Sequence, residues 1–145
     1  MVFLIDFDGT LAVGDTVDRL LAEHADPAWE ALEADWMANR ISALQCMKSQ
    51  IELVRADEMT LGRFFRSIVL DRHFRAFWEF VRTRAVVAVV SDGLDQAVHA
   101  ALEGHGGGLA CLPVFANRLE MLPGNRCSLS FPHRQENCAG GNGVC

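Results

Sequence analysis

The sequence predicts an α/β fold: a parallel sheet whose first strand is followed by a long helical insert. Three observations carry this. "VFLIDFD" near the start and "AVVAVVSDG" at 85–93 read as two short β-rich apolar runs, each ending on acids and glycine. Between them, apolar residues recur at helical spacing. After the second run come one helix and two further strand-like segments, an order typical of parallel sheets with crossover helices.

Residues 2–7 are expected to form a fully buried strand. A glycine-containing loop follows, and Thr16 caps a helix with Val17, Leu20 and Leu21 on one face. In "ADPAWEALEADWM", Asp26 is the expected cap and Pro27 the first helical residue. A third helix carries Leu44, Met47, Ile51 and Val54. A fourth starts near Thr60, with Leu61, Phe64, Phe65 and Ile68 on one face. Asp71 caps a fifth with Phe74, Phe77, Trp78 and Val81 at the same spacing. "LDQAVHAALEG" predicts a helix stopped by Gly104. "PVFANRLEML" and "RCSLSFPH" predict third and fourth strands, antiparallel across the Pro-Gly turn at 123–124. The tail "QENCAGGNGVC" reads as loop. The expected domains are a core of 1–13 and 71–145 and a small helical cap of 14–70.

At 145 residues the chain is one domain's worth, and its charged fraction of 22% argues against disorder. A net charge of −6 with no basic stripe excludes a nucleic-acid footprint. The longest apolar run, "AVVAVV", is too short to span a bilayer, so no membrane partner is expected. No secretory signal is visible, so the five cysteines are expected reduced, in the cytoplasm. His133, Cys138 and Cys145 give H-x4-C-x6-C with Cys127 nearby; a loop with incidental thiols is preferred to a zinc knuckle.

The chemistry sits at the strand tips. Ligands of open α/β sheets bind beyond the carboxyl ends of the strands. Asp6 and Asp8, about 6–7 Å apart along a strand, are expected to face one ligand. Neighbouring carboxylates push their pKa values apart, which suits a nucleophile beside a general acid. Backbone N–H groups of Gly9, Thr10 and Gly93, and the Ser91 hydroxyl, are candidate donors to phosphate oxygens. Ser91 also reads as an N-cap of the following helix, and Asp15 as a helix cap or solvated acid.

"DFDGT" after one apolar strand and "SDG" after a second closely resemble the haloacid dehalogenase superfamily of phosphatases. The resemblance implies a Rossmann-like core with a small helical cap, as in the phosphoserine phosphatase-like branch. It implies Asp6 as nucleophile and Asp8 as general acid and then base. Mg²⁺ would be held by the Asp6 carboxylate and the Asp8 carbonyl, and the substrate by Gly9, Thr10, Ser91, Asp92 and Gly93. Asp15, nine positions past the nucleophile, would help read the substrate. "FANRLE", "FPH" and the Cys-and-Gly segment resemble a methionine-salvage group within that branch. Asn117 and Arg118 in "FANRLE" sit where this resemblance is clearest.

That family also uses a later lysine and later acids, beyond further sheet strands. Here Lys48 is the only lysine, and Asp95 is the last aspartate. The chain therefore reads as the first two-thirds of a phosphatase, with the C-terminal sheet strands missing. The expectation is weak metal binding, little turnover, and self-association through a first strand left exposed. The alternative is a non-catalytic protein that binds phosphate or a partner through the same cradle.

Overall fold

The computed structural model describes residues 1–134. Strand β1 (Val2–Ile5) leads into a loop and then five helices: α1 (Thr16–His24), α2 (Trp29–Met37), α3 (Ala43–Ile51), α4 (Glu58–Arg66) and α5 (Phe74–Val81). Strand β2 (Val86–Leu94), helix α6 (Asp95–His105), strand β3 (Val114–Leu122) and strand β4 (Arg126–Ser130) complete the order. The sheet runs β1-β2-β3-β4, parallel except for the antiparallel pair β3–β4. This is the predicted α/β class.

The helix starts follow from local hydrogen bonding. Asp15 caps α1 by accepting from the N–H groups of Val17 and Asp18. Ser42 and Gln45 form a reciprocal capping box at α3, and Asp57 caps α4 through Thr60 N–H. Several caps and boundaries differ from expectation. Asp15, not Thr16, caps α1, and α5 begins at Phe74 after His73, with Asp71 accepting from His73 N–H in the turn before it. Asp26 accepts from Ala28 N–H, but α2 begins only at Trp29, because Pro27 and Ala28 form a turn first. Val54 lies beyond α3, in a short bridge with Ala25. Helix α6 runs through Gly104 and ends at His105, where Gly106 takes the positive φ that breaks it.

The insert joins the sheet through a neck. Val13 N–H donates to Val69 C=O (2.9 Å) and Asp71 N–H to Leu11 C=O (2.8 Å), with Ala12 bridging Leu70. A second neck pairs Ala25 with Val54, so the α2–α3 hairpin branches from α1 and α4. The core runs through insert and sheet alike, with Phe7, Leu20, Leu21, Ile51, Leu94 and Leu102 almost wholly buried.

Strand β1 lies at the sheet edge, as the reading of a first strand left exposed expects, and is not the fully buried strand its apolar composition suggests. It ends at Ile5, and among the described residues it pairs only with β2. Phe3 packs edge-on against Phe77 of α5, with ring centroids 5.3 Å apart. The opposite face is open: Val2 is 62% exposed, Leu4 69% and Val86, paired with Val2, 60%. Side chains alternate across a strand, so helices on one face alone leave the other row uncovered.

Leu20 is fully buried between insert and sheet. Leu20→Ala should therefore cost about 3 kcal/mol, within the usual range for emptying a well-packed leucine site. Urea unfolding followed by circular dichroism measures this; a loss under about 1 kcal/mol would mean that the site collapses freely.

Candidate active site

The β1 and β2 tips lie side by side because Ile5 pairs with Val89. From Phe7 to Leu11 the chain makes one wide turn, closed by Ala12 N–H to Phe7 C=O at 2.8 Å. Gly9 sits at φ +67° in this turn, a conformation that glycine adopts without strain. Its N–H donates to Gly14 C=O (2.9 Å) and is therefore spent inside the loop. The expectation that Gly9 offers its N–H to a phosphate is corrected on that ground.

Asp6 is exposed, and its Oδ2 accepts from the Thr10 hydroxyl at 3.0 Å. Asp8 is half-buried, and its Oδ1 accepts from Thr16 N–H at 2.7 Å, tying the first turn of α1 to the strand tip. Burial pushes the Asp8 carboxyl above the usual carboxylate range. Hydrogen bonding from Thr16 opposes this, and repulsion from Asp15 and Asp92 adds to it. Asp92 is also raised, first by burial and then by Asp6.

At the second tip, Ser91 is buried and its Oγ accepts from Gly93 N–H at 2.9 Å. Ser91 does not cap α6, as one sequence reading had it. The helix starts at Asp95, after Leu94, with no side-chain cap. Gly93 has no room for a side chain: a Cβ there would lie 2.5 Å from Asp8 Oδ2 and 3.1 Å from Ser91 Oγ. The glycine thus lets the two tips touch.

Asp6 and Asp8 line two adjoining hollows that share Asp92, because the strand ends before Asp6 and the chain turns. A 470 Å³ hollow on the open sheet side is lined by Leu4, Asp6, Val90, Ser91 and Asp92. A 370 Å³ hollow on the insert side is lined by Asp8, Asp15, Asp18, Glu33 and Asp92, with Trp36, Met47 and Phe131 among its apolar walls. Asp92 belongs to both. A larger hollow of 530 Å³ between α4 and α6 contains none of the strand-tip residues.

Sequence reading missed the far wall of the insert-side hollow. Glu33 Oε2 accepts from Gln50 Nε2 (2.9 Å), and Cys46 also lies against Glu33. Burial, followed by the charge of Glu33, pushes the Cys46 thiol up to about 11, so it is an inert wall. The available signal was Gln50, a polar residue four positions after Cys46 and beside Ile51 on the packed side of α3.

Cys127 is buried in β4 with its Sγ against Met121 Sδ (3.8 Å). Cys138 and Cys145 fall outside the described residues. Among the described residues, no cluster of three or more His, Cys, Asp or Glu could hold a metal ion by protein side chains alone. No helix among them is long and apolar enough to cross a membrane.

The fold matches solved structures. A phosphoserine phosphatase in a phospho-aspartyl intermediate analogue form superimposes with a TM-score of 0.66 at 24% identity, over 88% of this chain and 62% of that one. A phosphoserine phosphatase from T. onnurineus gives 0.70 at 21% identity, over 93% and 66%. A HAD-family hydrolase from Salmonella enterica serovar Typhi gives 0.74 at 16% identity, over 90% and 45%. The chain has the haloacid dehalogenase fold.

Among curated proteins, this chain is 29% identical over 149 aligned positions to the 2-hydroxy-3-keto-5-methylthiopentenyl-1-phosphate phosphatase of Geobacillus kaustophilus. The match covers all of this chain and 66% of that protein. The protein of the same name from Geobacillus thermodenitrificans is 30% identical over 108 positions, 72% of this chain and 49% of that protein. The chain thus spans just under two thirds of the first relative's length. No family model matches it.

The raised Asp8 carboxyl has a consequence for stability. The folded state binds the Asp8 proton more readily than the unfolded state. Stability is therefore lost as pH rises from the ordinary Asp range through the raised value, and the penalty is complete above it. Asp8→Asn keeps an oxygen for Thr16 N–H and removes the charge. In metal-free buffer it should raise the Tm at pH 8 and raise it less, or not at all, at pH 3. Equal shifts at the two pH values would contradict the burial cost.

Proposed function

We propose that the chain is a phosphatase for a small phosphomonoester metabolite, acting through a phosphoaspartate at Asp6. The observation that carries this is the contact of the two tips at Gly93, which sets Asp8 and Ser91 within reach of one group. An Asp6 carboxylate oxygen attacks phosphorus, and the bond from phosphorus to the alcohol oxygen breaks. Asp8, held protonated more readily by its burial, gives its proton to the departing alkoxide. It then takes a proton from water, whose oxygen displaces Asp6 and releases inorganic phosphate. The Ser91 hydroxyl and the Thr10 N–H hold the phosphate, Gly93 leaves room beside them, and Asp92 lines both hollows.

The site's chemistry fits Mg²⁺. Its donors are hard oxygens, and Asp6 raises the pKa of Asp92 by repulsion that a dication relieves. The Asp6 carboxylate and the Asp8 carbonyl would hold the ion, which when bound neutralises phosphate charge. Residues 14–70 form the cap in this reading, and 1–13 with 71–145 the core. The neck at Leu11–Val13 and Val69–Asp71 supports that division.

The substrate named for the Geobacillus relatives is the substrate we propose here. Its methylthio end suits the Trp36, Met47 and Phe131 walls of the insert-side hollow, and Asp15 at the rim reads its polar part. The phosphatase names of the relatives speak against the non-catalytic alternative. A cytoplasmic location belongs to the same proposal.

Beryllium fluoride mimics an aspartyl phosphate and tests the reading without requiring turnover. It should bind the wild-type chain only with Mg²⁺ present and should not bind Asp6→Asn, as read by fluorine NMR. Binding that survives Asp6→Asn, or none in the wild type, rejects the phosphoaspartate.

A second copy of this chain is the partner we propose for β1. The edge Val2–Ile5 has no charge, proline or bulge, and two such edges can pair antiparallel about a twofold axis, bringing the open Val2 and Leu4 rows together. Sedimentation velocity should show a concentration-dependent dimer that Leu4→Lys dissociates. A wild-type monomer at every concentration removes the proposal.

A further inference from the structure

We infer that Asn117 is a positioning residue for the phosphate cradle: its buried amide fixes the Asp92–Gly93 peptide, and that peptide aims the Ser91 hydroxyl. The inference rests on the phosphatase reading of the β2 tip. It begins with an irregularity in the sheet. Val90 pairs with Phe115 and Leu94 with Asn117, so β2 takes four steps where β3 takes two. Ser91, Asp92 and Gly93 bow out of the ladder, and a bowed segment leaves backbone groups in need of other partners. The Asn117 Nδ2 amide fills that need at one point, donating to Asp92 C=O at 2.6 Å.

The peptide bond carries the effect forward. No cis bond is present, and the C=O and N–H of a trans peptide point in opposite directions. With the Asp92 carbonyl held toward β3, the Gly93 N–H must point away from it, and it donates to Ser91 Oγ at 2.9 Å. A hydroxyl has one hydrogen and two lone pairs. Because Gly93 occupies a lone pair of Ser91, the Ser91 hydrogen is turned elsewhere, and Ser91 lines the hollow that also contains Asp6. The relay therefore presents Ser91 as a donor where phosphate would sit. Ser91 is 2% exposed, so it has little freedom to find this orientation alone.

Asn117 is suited to the task by its anchoring and by its cost. Two residues on, Leu119 N–H donates to Asp95 Oδ1 and Leu119 C=O accepts from Gln96 Nε2, both at 3.1 Å, so β3 is clamped to the start of α6. Asn117 is 0% exposed, and its Oδ1 has no hydrogen-bond partner among the described residues. A buried acceptor without a partner destabilises a fold. A leucine of the same shape would avoid that cost and lose the amide donor, so packing alone does not account for asparagine here.

The test uses Asn117→Leu and Asn117→Ser in the full chain, with two readouts. In nitrogen-15 NMR, hydrogen exchange of the Gly93 amide should accelerate at least tenfold in Asn117→Leu while its Tm stays at or above wild type. Titration with inorganic phosphate and Mg²⁺ should show Kd weakened about tenfold, as in Ser91→Ala, and Asn117→Leu should add little on top of Ser91→Ala. Unchanged Gly93 exchange in a folded variant overturns the inference, and so do additive effects on phosphate. If the wild type binds no phosphate, the phosphatase reading fails, and the exchange comparison alone decides the role of Asn117. Asn117→Ser supplies the same readouts if the leucine variant does not fold.

Discussion

The neck at Leu11–Val13 and Val69–Asp71 is the constraint on which the site depends. Its hydrogen bonds fix where the insert leaves and rejoins the sheet, only a few residues after Asp8. With that distance set, α1 must begin beside the β1 tip, and its first-turn N–H, from Thr16, reaches Asp8 at 2.7 Å. The same placement puts Asp15 at the N-cap and on the wall of the insert-side hollow. Helix capping and site construction are thus one event here. Asp15 Oδ1 accepts from both Val17 and Asp18 N–H, so the side chain's position at the hollow is held by the helix itself.

The tips gather negative charge, and the fold bears the cost. Asp8 and Asp92 are both raised, in each case first by burial. Desolvated carboxylates close together destabilise the folded state at neutral pH, and the same environment favours the protonated form that the proposed mechanism asks of Asp8. Gly93 increases the crowding, since its missing side chain is what admits Asp8 Oδ2 beside Ser91. The arrangement has the signature of a ligand site, where local energetics are poor and a bound dication would relieve the repulsion.

Much of this was legible in the sequence because the signals are local. Apolar spacing placed all six helices and the Pro-Gly turn set the β3–β4 hairpin, while the cap of α1 fell one residue early, at Asp15 instead of Thr16, and α4 began at Glu58 behind Asp57 instead of near Thr60. "DFDGT" and "SDG" marked the tips. What failed depended on non-local geometry. The exposure of Val2 and Leu4 depends on which sheet face the helices cover, and the apolar string "VFLI" is silent on that. The period-two rule placed Asp6 and Asp8 on one side, but the strand ends at Ile5 and the rule ends with it. Gly9 loses its N–H to Gly14, a contact set by the closure of a loop. Asn117 was visible as a polar residue within a strand, but its partner stands 25 residues away on another strand.

The site lies where regular structure stops. A continued ladder between β2 and β3 would engage the backbone groups of Ser91–Gly93 that face β3 and hold the segment straight. The bulge frees those groups, and freed groups need new constraints or they sample many orientations. Asn117, Ser91 Oγ and the close packing of Gly93 against Asp8 supply three such constraints within one short segment. The wide turn after β1 follows the same logic, spending Gly9 N–H on Gly14 to hold Asp8 toward α1. Each tip is irregular in the ladder and fixed by side chains or loop closure, which is how a rigid sheet can present polar groups at its edge without losing their orientation.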